Sequence, residues 1–395
     1  MYGTTGMISS LLGSFDMAEV SMRYSRFMPR LYNLAISLGF EPGKIMPSRA
    51  FCSDESQGYP VIMIAKHFGT FPFNHGLVGG VVATDRHGPH AHHGKDMLII
   101  QASHVGYDPD SGRFGVYRRL QTEEMSETSN CGKICGALDW YLREYEFARN
   151  NIYLYRDEGG RKVVVDNQLL HAEREEGLLL KTERLVKVDG QGNPMAEHSR
   201  STAKVFPASE TLLGYLKDYE WKAWPGEEIG GRLHPDLFYF KRGISHHPEG
   251  RDHLEKNLLD VMPYVVTSRW PALTAAQANT QVEFDRAFRT IVKEPSYKHK
   301  KILFISGLNV DISPRQGQLF PLTKFIPWAA YFQDEQGHHQ TWEQAELYDR
   351  LQAQPLENPD QVDMEEAIRI MEKATEIHLP FLSKIFPFRN LNVLL

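Results

Sequence analysis

Two short and almost continuously apolar runs predict buried β-strands, at residues 97–102 (MLIIQA) and 301–306 (KILFIS). The first run ends just before His104. The prediction therefore places this imidazole at the carboxyl end of a strand, where sites on parallel sheets are usually built. Weaker apolar segments predict further strands at residues 44–51, 78–83, 162–165, 178–181 and 185–188.

Apolar side chains at helical spacing predict a helix over residues 16–39, with Asp16 as its N-cap. Its apolar positions lie on more than one face, which is typical of a helix at an interface. A second amphipathic helix is predicted over residues 131–149. Cys131 would lie in its first turn, where the helix dipole favours a thiolate. Further helices are predicted at residues 210–219, 253–261, 342–352 and 364–377.

Composition limits the classes of protein to be considered. The chain has 395 residues, of which 42% are hydrophobic, so a large core is available, and its formal net charge is -6. This charge argues against nucleic acid or an anionic membrane as the main partner. No apolar run approaches the roughly 20 residues that span a bilayer, and the N-terminus does not resemble a signal peptide. Three cysteines in so long a chain indicate a reducing compartment, and we expect a cytoplasmic location.

The three side chains of Cys52, His104 and Cys131 form a candidate metal site. Two thiolates and one imidazole leave one coordination position open, which suits a catalytic zinc ion, whereas a structural zinc site normally has a fourth protein ligand. The spacing is wide, so the fold must bring the three together. Asp54, two residues after Cys52, would lie near the metal. Cys135, one helical turn after Cys131, is an alternative ligand or a packing residue.

A histidine-rich tract at residues 87–93 (HGPHAHH) is the other candidate for metal chemistry. Its glycine and proline predict a loop, so a solvated or substrate-side segment is the preferred interpretation. A metal-dependent hydrolase would need carboxylates beside these histidines, and only Asp85 and Asp96 are near in sequence. The chain contains no GxGxxG or GxxxxGK[ST] phosphate loop and no GxSxG nucleophile elbow.

Residues 73–137, together with a segment upstream, resemble the limiting-CO2-inducible protein B/C (LCIB) family of β-type carbonic anhydrases. The segments that carry the resemblance are CSDE at 52–55, LVGG at 77–80, AHH at 91–93, HVGY at 104–107, CG at 131–132 and GA at 136–137. The resemblance implies an α/β fold with a mixed sheet, a parallel core and flanking helices. It also implies a homodimer with the active site at the subunit interface.

The activity implied by the resemblance is the reversible hydration of CO2 to bicarbonate on a zinc ion. Asp54 would orient the nucleophile while an arginine holds this carboxylate away from the metal. Ordinary β-carbonic anhydrases carry that arginine two residues after the aspartate, where this chain has Ser56. We therefore assign the role to Arg118, with Arg119 and Arg49 as alternatives. Candidates for a small apolar CO2 pocket are Phe71, Phe73 and Val105.

The predicted domain organisation is a catalytic domain over residues 1–335 and a helical extension over residues 336–395. Within the first, residues 150–300 form an insertion that the resemblance does not place. Ser56 also supports an alternative function, a catalytically silent relative that keeps the fold as a binding or assembly module.

Overall fold

The computed structural model of the chain describes residues 15, 17, 19–76, 96–118, 126–171, 175–243, 252–315, 318 and 321–373. The strands are β1 (Met22–Arg23), β2 (Ile45–Ala50), β3 (Phe73–Asn74), β4 (Asp96–Asp108), β5 (Arg113–Phe114), β6 (Val116–Arg118), β7 (Glu127–Ser129), β8 (Ile152–Asp157), β9 (Gly160–Asp166), β10 (Gly177–Leu180), β11 (His198–Ser199), β12 (Ala203–Pro207), β13 (Glu227–Glu228), β14 (Phe238–Lys241), β15 (Ile302–Ile312), β16 (Leu322–Gln333) and β17 (His339–Glu343). The α-helices are α1 (Tyr24–Ser37), α2 (Gly58–Phe68), α3 (Gly132–Asn150), α4 (Thr182–Leu185), α5 (Glu210–Tyr215), α6 (Asp252–Leu258), α7 (Met262–Thr267), α8 (Pro271–Ile291), α9 (Gln344–Gln352) and α10 (Met364–Glu372).

The largest layer is an eight-stranded mixed sheet with the order β1-β16-β15-β4-β2-β3, to which β17 adds beside β16 and β5 beside β4. Its centre is parallel, because β4 runs parallel to both β2 and β15, and β3 runs parallel to β2. The strand β16 is antiparallel to β15. The predicted α/β fold, with a parallel core and flanking helices, is confirmed.

Both faces of the central sheet are covered. On one face, Leu98 and Ile100 of β4 pack in a cluster with Phe27 and Leu31 of α1. On the other face, the alternate residue Ile99 packs in a cluster with residues of α8. Since neighbouring side chains of a strand point to opposite faces, a strand covered on both sides is apolar at nearly every position. This explains the continuous apolar run at residues 97–102.

Residues 152–241 form smaller antiparallel sheets between α3 and α6. Five strands pair in the order β11-β12-β9-β8-β13, and β10 pairs with β14. The chain then returns through α6, α7 and α8 to β15. After β16, β17 continues the central sheet at residues 339–343. The predicted division at residue 335 and the status of residues 150–300 as an insertion remain predictions.

Several predicted boundaries are wrong. The first helix begins at Tyr24 instead of residue 16, because Met22 and Arg23 pair with β16 as a strand; Asp16 lies outside the described residues. Residues 185–188 do not form a continuous strand, since Leu185 ends the short helix α4 and Val186 and Val188 form only isolated β-bridges. The predicted strand at residues 78–83 also lies outside the described residues.

The apolar positions of α1 are explained within the chain. Tyr24, Phe27, Leu31 and Leu34 are all buried against the sheet and its neighbouring helices. A position at a subunit interface is therefore not needed to explain the apolar residues of α1, and the homodimer remains a prediction. No helix among the described residues is long and apolar enough to cross a membrane.

Candidate metal centre

Three elements of the fold bring Cys52, His104 and Cys131 together. Cys52 follows the end of β2 by two residues, and His104 lies in the neighbouring parallel strand β4. Cys131 is the N-cap of α3 and lies one position before its first turn, whereas the prediction placed it within that turn. The strand β4 continues four residues beyond His104, so the prediction that His104 ends a strand is wrong. Its long pairing with β15 explains the extension, since that pairing continues to Tyr107 and Ile312.

The donor atoms of these three residues lie within 4.8 Å of one another, and all three residues are buried. The two sulfur atoms are 4.0 Å apart. Within the described parts of the chain, this is the only group of three or more histidine, cysteine or acidic side chains with the spacing of a metal site. The group could therefore hold a metal ion.

The imidazole of His104 is arranged as a metal ligand would be. Its Nδ1 lies 2.8 Å from Oδ2 of Asp311, and its buried Nε2 has no hydrogen-bond partner. A buried nitrogen without a partner normally costs free energy. A carboxylate beside Nδ1 favours the proton on that nitrogen, which would leave the Nε2 lone pair for a cation. The donor set, two thiols and an imidazole, suits zinc.

The pKa values of two of the three donors are shifted from their ordinary values. Burial alone would lower the pKa of His104, but the charge of the nearby Cys131 and the hydrogen bond with Asp311 outweigh it and raise the pKa well above its ordinary value. The hydrogen bond with Cys52, together with burial, raises the pKa of the Cys131 thiol. A divalent cation bound here would displace the protons of its ligands.

Behind His104, a buried network of polar side chains surrounds Asp311. Its Oδ2 accepts hydrogen bonds from Ser56 Oγ and Gln57 Nε2, both at 2.8 Å, and its Oδ1 accepts one from Thr323 at 3.1 Å. Asn309 continues the network by donating to Gln57 Oε1 at 2.7 Å. Ser56 is thus one of the donors to the carboxylate behind the histidine.

Asp54 lies at the edge of the site as a half-buried residue. Its side chain accepts a hydrogen bond from the backbone N–H of Ser56 and caps the 3-10 helix Glu55–Gln57. Burial raises the pKa of the Asp54 carboxyl, while the charge of the nearby His104 acts in the opposite direction. Asp54 is thus within electrostatic reach of the three donors without belonging to their group.

Arg118 is engaged with other carboxylates. Its guanidinium lies 3.1 Å from both Asp108 and Asp110 and 3.9 Å from Glu127. The pairing of Arg118 with Asp54 therefore remains a proposal, and the described contacts of Arg118 do not include it. The alternative Arg119 lies outside the described residues.

The third candidate, Arg49, is half-buried in β2, where its guanidinium lies over the ring of Phe51. Burial lowers the pKa of Arg49. The alternative ligand Cys135 is not part of the group of three, and its thiol donates to the carbonyl of Gly115 at 3.4 Å.

The candidate pocket residues differ in exposure. Val105 is fully buried in the same apolar cluster as Cys52 and Cys131. Phe71 and Phe73 are 67% and 48% exposed, so neither forms a closed apolar wall within one chain. The histidine tract at residues 87–93 and Asp85 lie outside the described residues. Asp96 pairs with Lys301 at 3.5 Å.

Sequence reasoning did not identify Asp311, Gln57, Asn309 or Thr323 as parts of the site. Asp311 is separated from His104 by 207 positions, so no local pattern connects them. One signal was available, since a polar Asn-Val-Asp follows the apolar run at residues 301–306. Buried polar side chains at the end of an inner strand commonly serve a site.

Comparison with known proteins gives similarity to solved structures only. No family model and no curated protein sequence matches the chain. It is similar to the crystal structure of PtLCIB4, a homolog of the limiting CO2-inducible protein LCIB, with a TM-score of 0.47, 10% identity and coverage of 86% of this chain and 99% of that one. For LCIB itself the TM-score is 0.41, with 11% identity and coverage of 82% and 95%.

Proposed function

We propose that the chain is a zinc-dependent carbonic anhydrase that reversibly converts CO2 and water to bicarbonate and a proton. The observation that carries the proposal is the buried group of Cys52, His104 and Cys131, in which Nε2 of His104 has no partner. The substrate is suggested by the sequence resemblance described above. When bound, a zinc ion with three protein ligands supplies Lewis-acid chemistry that makes water a nucleophile near neutral pH.

Binding the ion, orienting the reacting water and contacting CO2 would be the roles of different residues of the chain. The two thiolates and the imidazole bind the ion, and the half-buried Asp54 accepts a hydrogen bond from the reacting water and orients it. Two thiolates place more negative charge on the ion than three imidazoles would, so an acceptor at this position matters for orientation. Val105, buried in the same apolar cluster as both cysteines, would offer an apolar contact for CO2. We also propose that Arg118, or one of its alternatives, holds Asp54 in place.

The test is stopped-flow hydration of CO2 by the zinc-loaded protein between about pH 7 and 9, with zinc content measured on the same samples. The parent should contain one zinc per chain and be active. Cys52→Ala should lose zinc and activity together. Asp54→Asn should retain zinc and lose at least about tenfold in rate, since a hydrogen bond to a charged group contributes about 1.5–3 kcal/mol and about 1.4 kcal/mol corresponds to tenfold in rate.

A second function, a catalytically silent binding or assembly module, is favoured by one observation. Arg118 pairs with Asp108 and Asp110, and Ser56 occupies the position at which the resemblance leads us to expect an arginine. A parent protein that is fully loaded with zinc but inactive at every pH tested would favour this module. A parent that binds no zinc would contradict both the proposed carbonic anhydrase activity and the proposed zinc site.

A further inference from the structure

The side chain behind the candidate metal centre has a function of its own. We propose that Asp311 is a positioning residue that fixes the tautomer and orientation of His104 through Nδ1, and that Ser56 and its neighbours hold Asp311 for this purpose. The inference rests on the metal centre of the proposed function. It does not require that the chain hydrate CO2.

The first argument is the use of both nitrogens of His104. Nδ1 contacts Asp311 at 2.8 Å, and the side chains of both residues are completely buried. Nε2 is buried and unpartnered. An imidazole bound to a metal through one nitrogen usually donates its other N–H to a carboxylate, a carbonyl or water, which fixes the ring and strengthens the ligand. Asp311 occupies that position.

The second argument is that Asp311 is itself held on all sides. Ser56, Gln57 and Thr323 donate to its two oxygens in addition to His104. Gln57 is oriented by Asn309, which in turn accepts a hydrogen bond of 2.7 Å from the hydroxyl of Tyr24.

The network therefore joins α1, the segment after β2, and the strands β15 and β16 to a single carboxylate. A network of this extent is not needed to bury one aspartate. Its effect is to remove the rotational freedom of Asp311 and hence that of His104.

The third argument concerns Ser56. It donates to Asp311 and accepts a hydrogen bond from Nδ2 of Asn130 at 3.2 Å. Asn130 directly precedes Cys131, so one serine hydroxyl contacts both the carboxylate behind His104 and the residue next to a second ligand. Ser56 thereby connects the ligand-bearing segments of β4 and α3.

The test measures zinc affinity by competition with a chromophoric chelator, so it does not depend on activity. Asp311→Asn keeps the shape of the side chain but replaces one accepting oxygen by a donor. We expect this variant to bind zinc about 10- to 100-fold more weakly than the parent, the usual effect of losing such a partner. The matched control is Glu283→Gln, a fully buried carboxylate on α8 that hydrogen-bonds Asn257. The control should leave zinc affinity unchanged.

A second readout separates positioning from a general loss of structure. In the zinc-loaded parent labelled with 15N-histidine, NMR should show His104 protonated at Nδ1, with a low-field hydrogen-bonded proton. That proton should disappear in Asp311→Ala. If Asp311→Asn does not fold, the zinc affinity of Ser56→Ala tests the inference instead. This variant removes one donor to Asp311 and should weaken zinc binding at least about threefold.

The outcomes are distinguishable. Equal zinc affinity in the parent and in the folded Asp311→Asn variant would overturn the inference and leave the proposed enzyme intact. If Asp311→Asn does not fold, unchanged zinc affinity in Ser56→Ala would have the same consequence. A parent without zinc affinity would overturn both. If Asp311→Asn binds zinc more weakly than the parent, and the zinc-loaded parent does not hydrate CO2, the role of Asp311 is supported and CO2 hydration is contradicted.

Discussion

At the scale of single residues, some of the charged groups in the protein interior are stabilised by a partner of opposite charge. Asp108 is an example, since it is 1% exposed and lies 3.1 Å from the guanidinium of Arg118. Burial raises the pKa of Asp108, but hydrogen bonds from Ser111 and Arg118 outweigh burial and lower it. Arg118 therefore has a structural role whether or not it also serves Asp54.

This role predicts the stability of Arg118→Ala. Removing the guanidinium leaves a buried carboxylate with fewer donors, and we expect the free energy of unfolding to fall by roughly 1–3 kcal/mol in denaturant titration. The matched control is Arg113→Ala, which removes an exposed pair with Glu127 and should cost less than about 1 kcal/mol. Equal effects of the two substitutions would contradict the structural role. Activity of folded, zinc-loaded Arg118→Ala at the parent's rate would exclude Arg118 as the partner of Asp54.

The residue scale also shows what the sequence could predict of the site. Cys52, His104 and Cys131 were identified because cysteine and histidine are chemically distinctive, and the structure brings their donor atoms together. Asp311 was not identified, because an aspartate in a long chain has no such distinction until its neighbours are known. The role of Ser56 was missed for the same reason.

At the scale of elements, the close contact between β15 and β16 depends on Gly307. A methyl group at this position would lie 2.4 Å from the ring of Phe325 and 2.5 Å from the carbonyl oxygen of Ile326. That ring is itself stacked on Phe27 of α1, with centroids 4.0 Å apart. The sheet and α1 leave no space for a larger side chain here.

We therefore predict that Gly307→Ala lowers the free energy of unfolding by about 1–3 kcal/mol, the usual cost of overpacking a core. The measurement is equilibrium unfolding in urea. Gly190→Ala is the control, because a methyl group there meets no atom within 4 Å, and its effect should be close to zero. A Gly307→Ala protein as stable as the parent would show that Phe325 moves aside without cost.

The elements differ in how well the sequence predicted them. Strands covered on both faces gave continuous apolar runs and were found, although β15 extends to Ile312 and not to residue 306. The 21-residue helix α8 was missed. Much of its buried face consists of alanine, asparagine, threonine and glutamate, so its hydrophobic period is weak even though Pro271 marks its first turn. Pairing across the sheet similarly overrode the helical pattern before Tyr24.

At the scale of the whole molecule, segments distant in sequence are joined through buried polar contacts. His67 of α2 and Asn358, 291 positions later, form a buried pair in which the Asn358 amide donates to Nδ1 of His67 at 3.2 Å. Burial and the nearby charge of Lys66 lower the pKa of His67 from 6.5 to about 4. The pair therefore requires neutral histidine.

This pair predicts how stability depends on pH. Between about pH 6.5 and 4 the unfolded chain binds a proton at His67 that the folded chain does not, so stability falls as the pH falls through this window. The loss due to His67 should reach about 2 kcal/mol by pH 5. His67→Gln can still accept from Asn358 but does not titrate. Its unfolding free energy should therefore change less between pH 7 and pH 5, and an identical change in both proteins would contradict the assignment.

The account as a whole depends on one zinc ion held by Cys52, His104 and Cys131. X-ray absorption at the zinc edge of the purified protein measures this directly. We predict one zinc per chain, with two sulfur ligands near 2.3 Å and nitrogen or oxygen ligands near 2.0–2.1 Å. The spectrum should be unchanged in Cys135→Ser, and zinc should be lost in Cys52→Ala. A protein without zinc, a spectrum with a different number of sulfur ligands, or full zinc occupancy in Cys52→Ala would contradict the account.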